Sequence, residues 1–110
     1  MEGWYTVKGL FRWYSKASGE TDRIEERIVL FRARDFDHAL DLAEREAKTY
    51  CAPDRKATFR IEPVGWWYAY SLSERPSHGA EVFSRRSLTS LSAKSFVRRY
   101  YPKSHRAAAG

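Results

Sequence analysis

Cys51, His38, His78 and the adjacent Glu25 and Glu26 are the side chains with the chemistry to carry a reaction. A cysteine becomes a nucleophile when a positioned His or a helix N-terminus lowers its thiol pKa. Cys51 instead follows an apolar helical stripe that ends at Tyr50, and the negative end of a helix dipole raises a thiol. It reads as an inert thiol. His38, beside Asp35 and Asp37, falls in the first turn of the same helix; it could meet a phosphate or serve as a base, but a solvent-facing residue accounts for it more simply. His78 stands in Pro76-Ser77-His78-Gly79, a turn composition. Glu25 and Glu26 are neighbours on a strand, so their carboxylates point to opposite faces, whereas an acid and base pair needs i,i+2 spacing. One Cys permits no intramolecular disulfide, and one Cys with three scattered His shows no zinc-ligand spacing. There is no Gly-rich phosphate loop and no Ser-x-x-Lys. The expectation is a non-catalytic protein without cofactor or metal.

Binding chemistry is richer. The chain holds four Trp, seven Tyr and six Phe, more rings than one helix can cover on a sheet. Trp4, Trp13, Trp66, Trp67, Tyr68 and Tyr70 are candidate contact residues, since Trp, Tyr and Arg are the types most enriched at interface hot spots. Such rings could also stack nucleic-acid bases. Charge is placed unevenly: the net charge is +6, yet residues 1–74 hold 12 basic against 13 acidic side chains, and residues 75–110 hold eight basic against one acidic. Arg85, Arg86, Lys94, Arg98 and Arg99 belong to that basic third and join the candidate surface. Arg presents a planar fork to carboxylates and phosphates alike, so an anionic partner fits, while a merely solvated basic face is the bland alternative.

The elements that must position these residues follow from hydrophobic spacing. Residues 4–14 alternate, with Tyr5, Val7, Phe11 and Trp13 on one face, and read as a strand. Gly9 in its middle marks either a bulge or a place where another side chain lies flat on the backbone. Residues 15–22 are a polar loop, and residues 24–34 a central strand. From Asp35 the period becomes helical: Phe36, Leu40, Ala43, Ala47 and Tyr50 form one stripe, with Asp35 as cap. Residues 57–64 and 66–72 read as two strands broken at Pro63-Val64-Gly65, the second with Trp66, Tyr68, Tyr70 and Leu72 on one face and Trp67 on the other. Residues 81–85 read as a short strand. A short helix then carries Phe96, Val97 and Tyr100 as its anchor and Lys94, Arg98 and Arg99 outward, ended by Pro102.

The predicted order is β-β-α-β-β-β-α, an α+β fold with a mainly antiparallel sheet of about five strands and the main helix, residues 35–50, on one face. At 110 residues and 12.9 kDa there is room for one domain, residues 1–102, with 103–110 as a disordered tail. No apolar run suits a membrane span or a signal peptide, so a cytoplasmic protein with no membrane partner is expected.

Trp4-Tyr5-Thr6-Val7-Lys8, the run Glu25 to Ala33 followed by Ala39-Leu40 and Ala43-Glu44, and Glu81-Val82-Phe83-Ser84-Arg85 are three telling segments. Together they resemble a bacterial domain-of-unknown-function family, number four-two-eight-eight in that series. The resemblance covers roughly residues 4–86 and brings no activity and no site residues with it. It implies a bacterial, cytoplasmic, single-domain protein, with the basic helix and tail as an addition. Small size, absent chemistry and surplus interface-type residues together point to a protein-binding module, such as an immunity protein or inhibitor that docks a toxin or enzyme. The alternative is a nucleic-acid-binding domain using the basic C-terminal segment; no recognised nucleic-acid motif accompanies it.

Overall fold

The computed structural model describes residues 2–101. Aromatic and β-branched residues in near alternation form β1 (Gly3–Ser15) and β2 (Thr21–Ala33), joined by a short polar loop. They pair antiparallel without interruption from Gly3 opposite Ala33 to Trp13 opposite Arg23. The chain then turns into α1 (Phe36–Tyr50), where the Asp35 carboxylate accepts the His38 backbone N–H at 2.8 Å. β3 (Phe59–Ser71) pairs antiparallel with the free side of β1, so the sheet order is β2-β1-β3. A last helix, α2 (Ala93–Tyr100), is capped by the Ser92 hydroxyl. The fold is α+β, with α1 laid across one face of a three-stranded antiparallel sheet. No helix among the described residues is long and apolar enough to cross a membrane.

Five strands were expected and three form among the described residues. Residues 57–64 and 66–72 are one strand, because Pro63 lies on the edge strand, where its missing N–H breaks no ladder. Gly65, with φ of +93°, absorbs the irregularity: between Gly9 and Phe11 the partner strand advances from Trp67 to Pro63, two extra residues. The expected strand at 81–85 has no ladder and crosses the sheet instead of extending it. The Thr6 hydroxyl donates to the Val82 carbonyl at 2.8 Å, and the Phe83 ring meets Tyr68 and Tyr70. The order is therefore β-β-α-β-α. Pro102 and the expected tail at 103–110 lie outside the described residues.

The core is Val7, Phe11, Ala33, Ala39, Ala43, Ala47 and Leu72. The buried stripe of α1 is thus Ala39, Ala43 and Ala47, whose methyl groups let the helix backbone sit close to the strands. Leu40 is half-buried against this core, and Phe36, expected inside, stays half exposed at the helix start with its ring edge-on to Tyr5 at 5.3 Å. Trp67 crosses from β3 onto β1. A Cβ on Gly9 would come within 2.5 Å of its ring, so the absent side chain is what lets the indole lie flat. Both readings of Gly9, close approach and irregular register, describe the same spot.

Candidate binding face

Strand alternation divides the side chains of the sheet between two faces. On the α1 side lie Tyr5, Val7 and Phe11 of β1 with Val29 and Phe31 of β2 and Trp67 and Ala69 of β3. The opposite face carries Ile24, Glu26, Ile28, Leu30 and Arg32 on β2, Trp4, Thr6, Lys8, Leu10 and Arg12 on β1, and Trp66, Tyr68 and Tyr70 on β3. Among the described residues no helix lies flat on this second face. Trp66 stacks on Tyr68 with ring centroids 6.4 Å apart and planes 16° from parallel, and the two remain 41% and 40% exposed. Lys8 stands between Ile28 and Tyr68 in register, its stem on the face and its ammonium 2.5 Å from Glu26.

The segment after Leu72 only partly covers this face. Phe83 sits edge-on to Tyr68 at 6.0 Å and tilted to Tyr70 at 5.8 Å, and the Thr6 to Val82 hydrogen bond ties the chain down there. Partial burial and the nearby Glu81 carboxylate hold the Tyr70 phenol above its ordinary pKa. Beyond Phe83 the hold loosens. α2 buries no residue; Val97 and Tyr100, expected as anchors, are exposed, and Phe96 is half-buried against Tyr100 and Tyr101 at 4.8 and 6.1 Å. A cavity of about 830 Å³, open to solvent, is left between α2 and the sheet, lined by Lys8, Phe83, Arg85, Leu91, Phe96 and Val97.

The candidate residues therefore fall into groups. Trp66, Tyr68 and Tyr70 come together on the open face, Trp4 stands at its far end with the Arg32 guanidinium 5.7 Å above its ring, and Arg85 lines the cavity beside Lys8. Arg86, Lys94, Arg98 and Arg99 are exposed along the segment around that cavity. Trp13 and Trp67 are on the α1 side, both half-buried. The Trp13 indole N–H donates to Glu25 at 3.3 Å, and Trp67 meets Phe11 edge-on at 5.9 Å and floors a cleft of about 610 Å³ between the end of α1 and β3. Sequence reasoning passed over Ile28 and Leu30, which share the open face and are exposed. The available signal is that they share a strand face with the charged Glu26 and Arg32, at i,i+2 spacing on either side; a continuous apolar run, Ile28 to Phe31, conceals it by suggesting two covered faces.

A second polar network lies on the α1 side. Arg27 donates two hydrogen bonds to Glu46, at 2.6 and 2.7 Å, and lies 3.7 Å over the Tyr50 ring. Tyr50 donates to Glu25 at 2.7 Å; burial, then that carboxylate, push its phenol up to about 12. Burial also pushes the Cys51 thiol up, toward the protonated form. No group of three or more His, Cys, Asp or Glu with the arrangement to hold a metal occurs among the described residues.

The model of the family described as a domain of unknown function, DUF4288, matches residues 4–84, which takes in all three strands, α1 and the aromatic face and leaves α2 outside. No curated protein and no solved structure matches the chain.

Proposed function

From a chain that belongs to the DUF4288 family, we propose a non-catalytic protein-binding module that docks its partner on the sheet face opposite α1. The observation that carries this reading is the exposed field of Ile28, Leu30, Trp66 and Tyr68 around Lys8 on a hydrogen-bonded three-stranded sheet. Flat aromatic side chains with few rotatable bonds lose little entropy on binding, and an apolar centre with a charged rim is the anatomy of a protein interface. The rim is basic, from Arg85 and Arg86 to Lys94, Arg98 and Arg99, which favours an acidic partner surface and speeds its approach. An immunity protein or inhibitor that blocks a toxin or enzyme is one use of such a face. Tyr50 and Cys51 on the other side of the sheet, and Tyr70 on the open face, all have their pKa pushed up and are held protonated, which supports binding over catalysis.

The test is paired affinity capture with the wild-type chain, the Trp66→Ala/Tyr68→Ala variant and an Asp41→Ala control on the outer side of α1. A protein held by wild type and control but lost by the double variant is the expected result, with affinity falling by no more than about a few-fold between roughly 50 and 200 mM salt as the basic rim is screened. Retention of every captured protein by the double variant would overturn the reading. So would capture of nucleic acid alone, with steep loss over that salt range, which is the signature of the alternative.

A further inference from the structure

β2 is an edge strand whose outer side has no strand neighbour among the described residues and whose projecting charges on the open side are Glu26 and Arg32. Its inner side pairs with β1, and among the described residues no backbone hydrogen bond reaches its outer side. A long open edge is a template for pairing with another strand, and proteins ordinarily blunt it with Pro, a bulge or projecting charge. The other edge, β3, has Pro63 and the irregularity at Gly65. From Arg23 to Ala33, β2 has neither. Its charges on the α1 side are engaged within the chain, Arg27 with Glu46 and Glu25 with Tyr50 and Trp13. On the open side Ile24, Ile28 and Leu30 are 57%, 48% and 42% exposed.

We propose that β2 pairs antiparallel with β2 of a second copy across a two-fold axis at Val29, joining two three-stranded sheets into one of six strands. The register follows from the side chains, because a two-fold axis fixes every pair once its central residue is chosen. Centring on Glu25, Glu26 or Arg27 sets that charge against its own copy. Centring on Ile28 puts Glu26 opposite Leu30 and Arg32 opposite Ile24, and centring on Leu30 puts Arg32 opposite Ile28. Centring on Val29 places Ile28 opposite Leu30 and Glu26 opposite Arg32, each twice, with no like charges facing. The side chains of Glu26 and Arg32 are 64% and 58% exposed, so both can meet a partner while keeping their contacts to Lys8 and Glu2. This pairing does not depend on the docking reading, since the dimer forms whether or not the open face takes a further protein.

Sedimentation equilibrium of the whole chain reads the outcome. The wild type is expected to reach twice its 12.9 kDa. Glu26→Arg places Arg against Arg across the axis, Arg32→Glu places Glu against Glu, and each is expected to weaken the dimer about tenfold or more. Mixed together, the two variants face each other with two arginines on one strand and two glutamates on the other, so every cross-axis pair is again of opposite charge. The mixture is therefore expected to regain the dimer; circular dichroism confirms that each variant is folded. Should a single variant not fold, the Glu26→Arg/Arg32→Glu double variant, which restores both pairs within a homodimer, gives the same reading. A wild type that stays at 12.9 kDa up to about 1 mM overturns the proposal. Undiminished association of the single variants, or no recovery on mixing or in the double variant, overturns it equally.

Discussion

Replacing Gly9 by Ala tests the contact that joins β3 to β1 across the core. An added Cβ would lie 2.5 and 2.9 Å from two ring carbons of Trp67 and 3.1 Å from a ring carbon of Phe11. Carbon atoms settle at about 3.5 to 4.0 Å, so the indole must withdraw by roughly 1 Å. It has little room, because Phe11, itself buried, stands edge-on at 5.9 Å. Overpacking of this kind costs about 1 to 3 kcal/mol. Against that, Ala in an extended strand is better than Gly by about 0.5 to 1 kcal/mol. The expected net loss is about 1 to 2 kcal/mol, read in urea unfolding, with a Tm lower by roughly 5 to 10 °C. A double-mutant cycle isolates the cause. In a Trp67→Leu background the obstructing ring is gone and Gly9→Ala should be neutral or stabilising, which gives a coupling of about 2 kcal/mol. If Gly9→Ala stabilises the wild type as much as it does the Trp67→Leu background, the close approach is not what holds glycine at this position.

Two further predictions concern the polar network at the end of α1. Two hydrogen bonds from Arg27 hold the Glu46 carboxyl below its ordinary value of 4.5 against the opposing effect of burial. A depressed carboxyl contributes stability that is present above its unfolded pKa and lost as pH falls through the folded one. Urea midpoints should therefore fall on acidification below about 4.5, and Glu46→Gln should flatten that decline; an unchanged slope in the variant would separate the pair from the pH effect. The Tyr50 phenol, pushed up to about 12 first by burial and then by Glu25, contributes stability present below its unfolded value of 10.0 and lost as pH rises through the folded one. Phenolate absorbance should show a late-titrating tyrosine, distinct from Tyr70, that disappears in Tyr50→Phe, and a Tyr50 that ionises with the exposed tyrosines would show that neither its burial nor the Glu25 contact holds in solution.

What could be read from the residues, and what could not, divides along the range of the forces involved. The switch from period two to period 3.6 at Asp35, the capping carboxylate and the alternation of Tyr5, Val7 and Phe11 are local, and β1, β2 and α1 form within a few residues of where those signals place them. The break at Pro63 and Gly65 is also a local signal, but its meaning is not. Whether Pro ends a strand or rides along an edge depends on which side of the strand has a neighbour, and the sheet order decides that. The same holds for Glu81 to Arg85, whose alternation suits a strand but which finds the Thr6 hydroxyl and the Tyr68 and Tyr70 rings in place of a ladder. On α1 the stripe is legible but its centre is not. Phe36 has the greater apolar area, yet the backbone comes closest to the sheet where Ala39, Ala43 and Ala47 permit it, so the small residues take the core and the large one overhangs. The face that results is a consequence of numbers as much as of pattern: one helix of fifteen residues can shield one side of three thirteen-residue strands. The aromatics that alternate away from it must then be covered by the chain's own last segment or by another molecule, and α2 buries no residue there. Among the described residues, Trp66 and Tyr68 with their neighbours Ile28 and Leu30 are left with incomplete burial on one sheet face, and burial is the free energy a partner would supply.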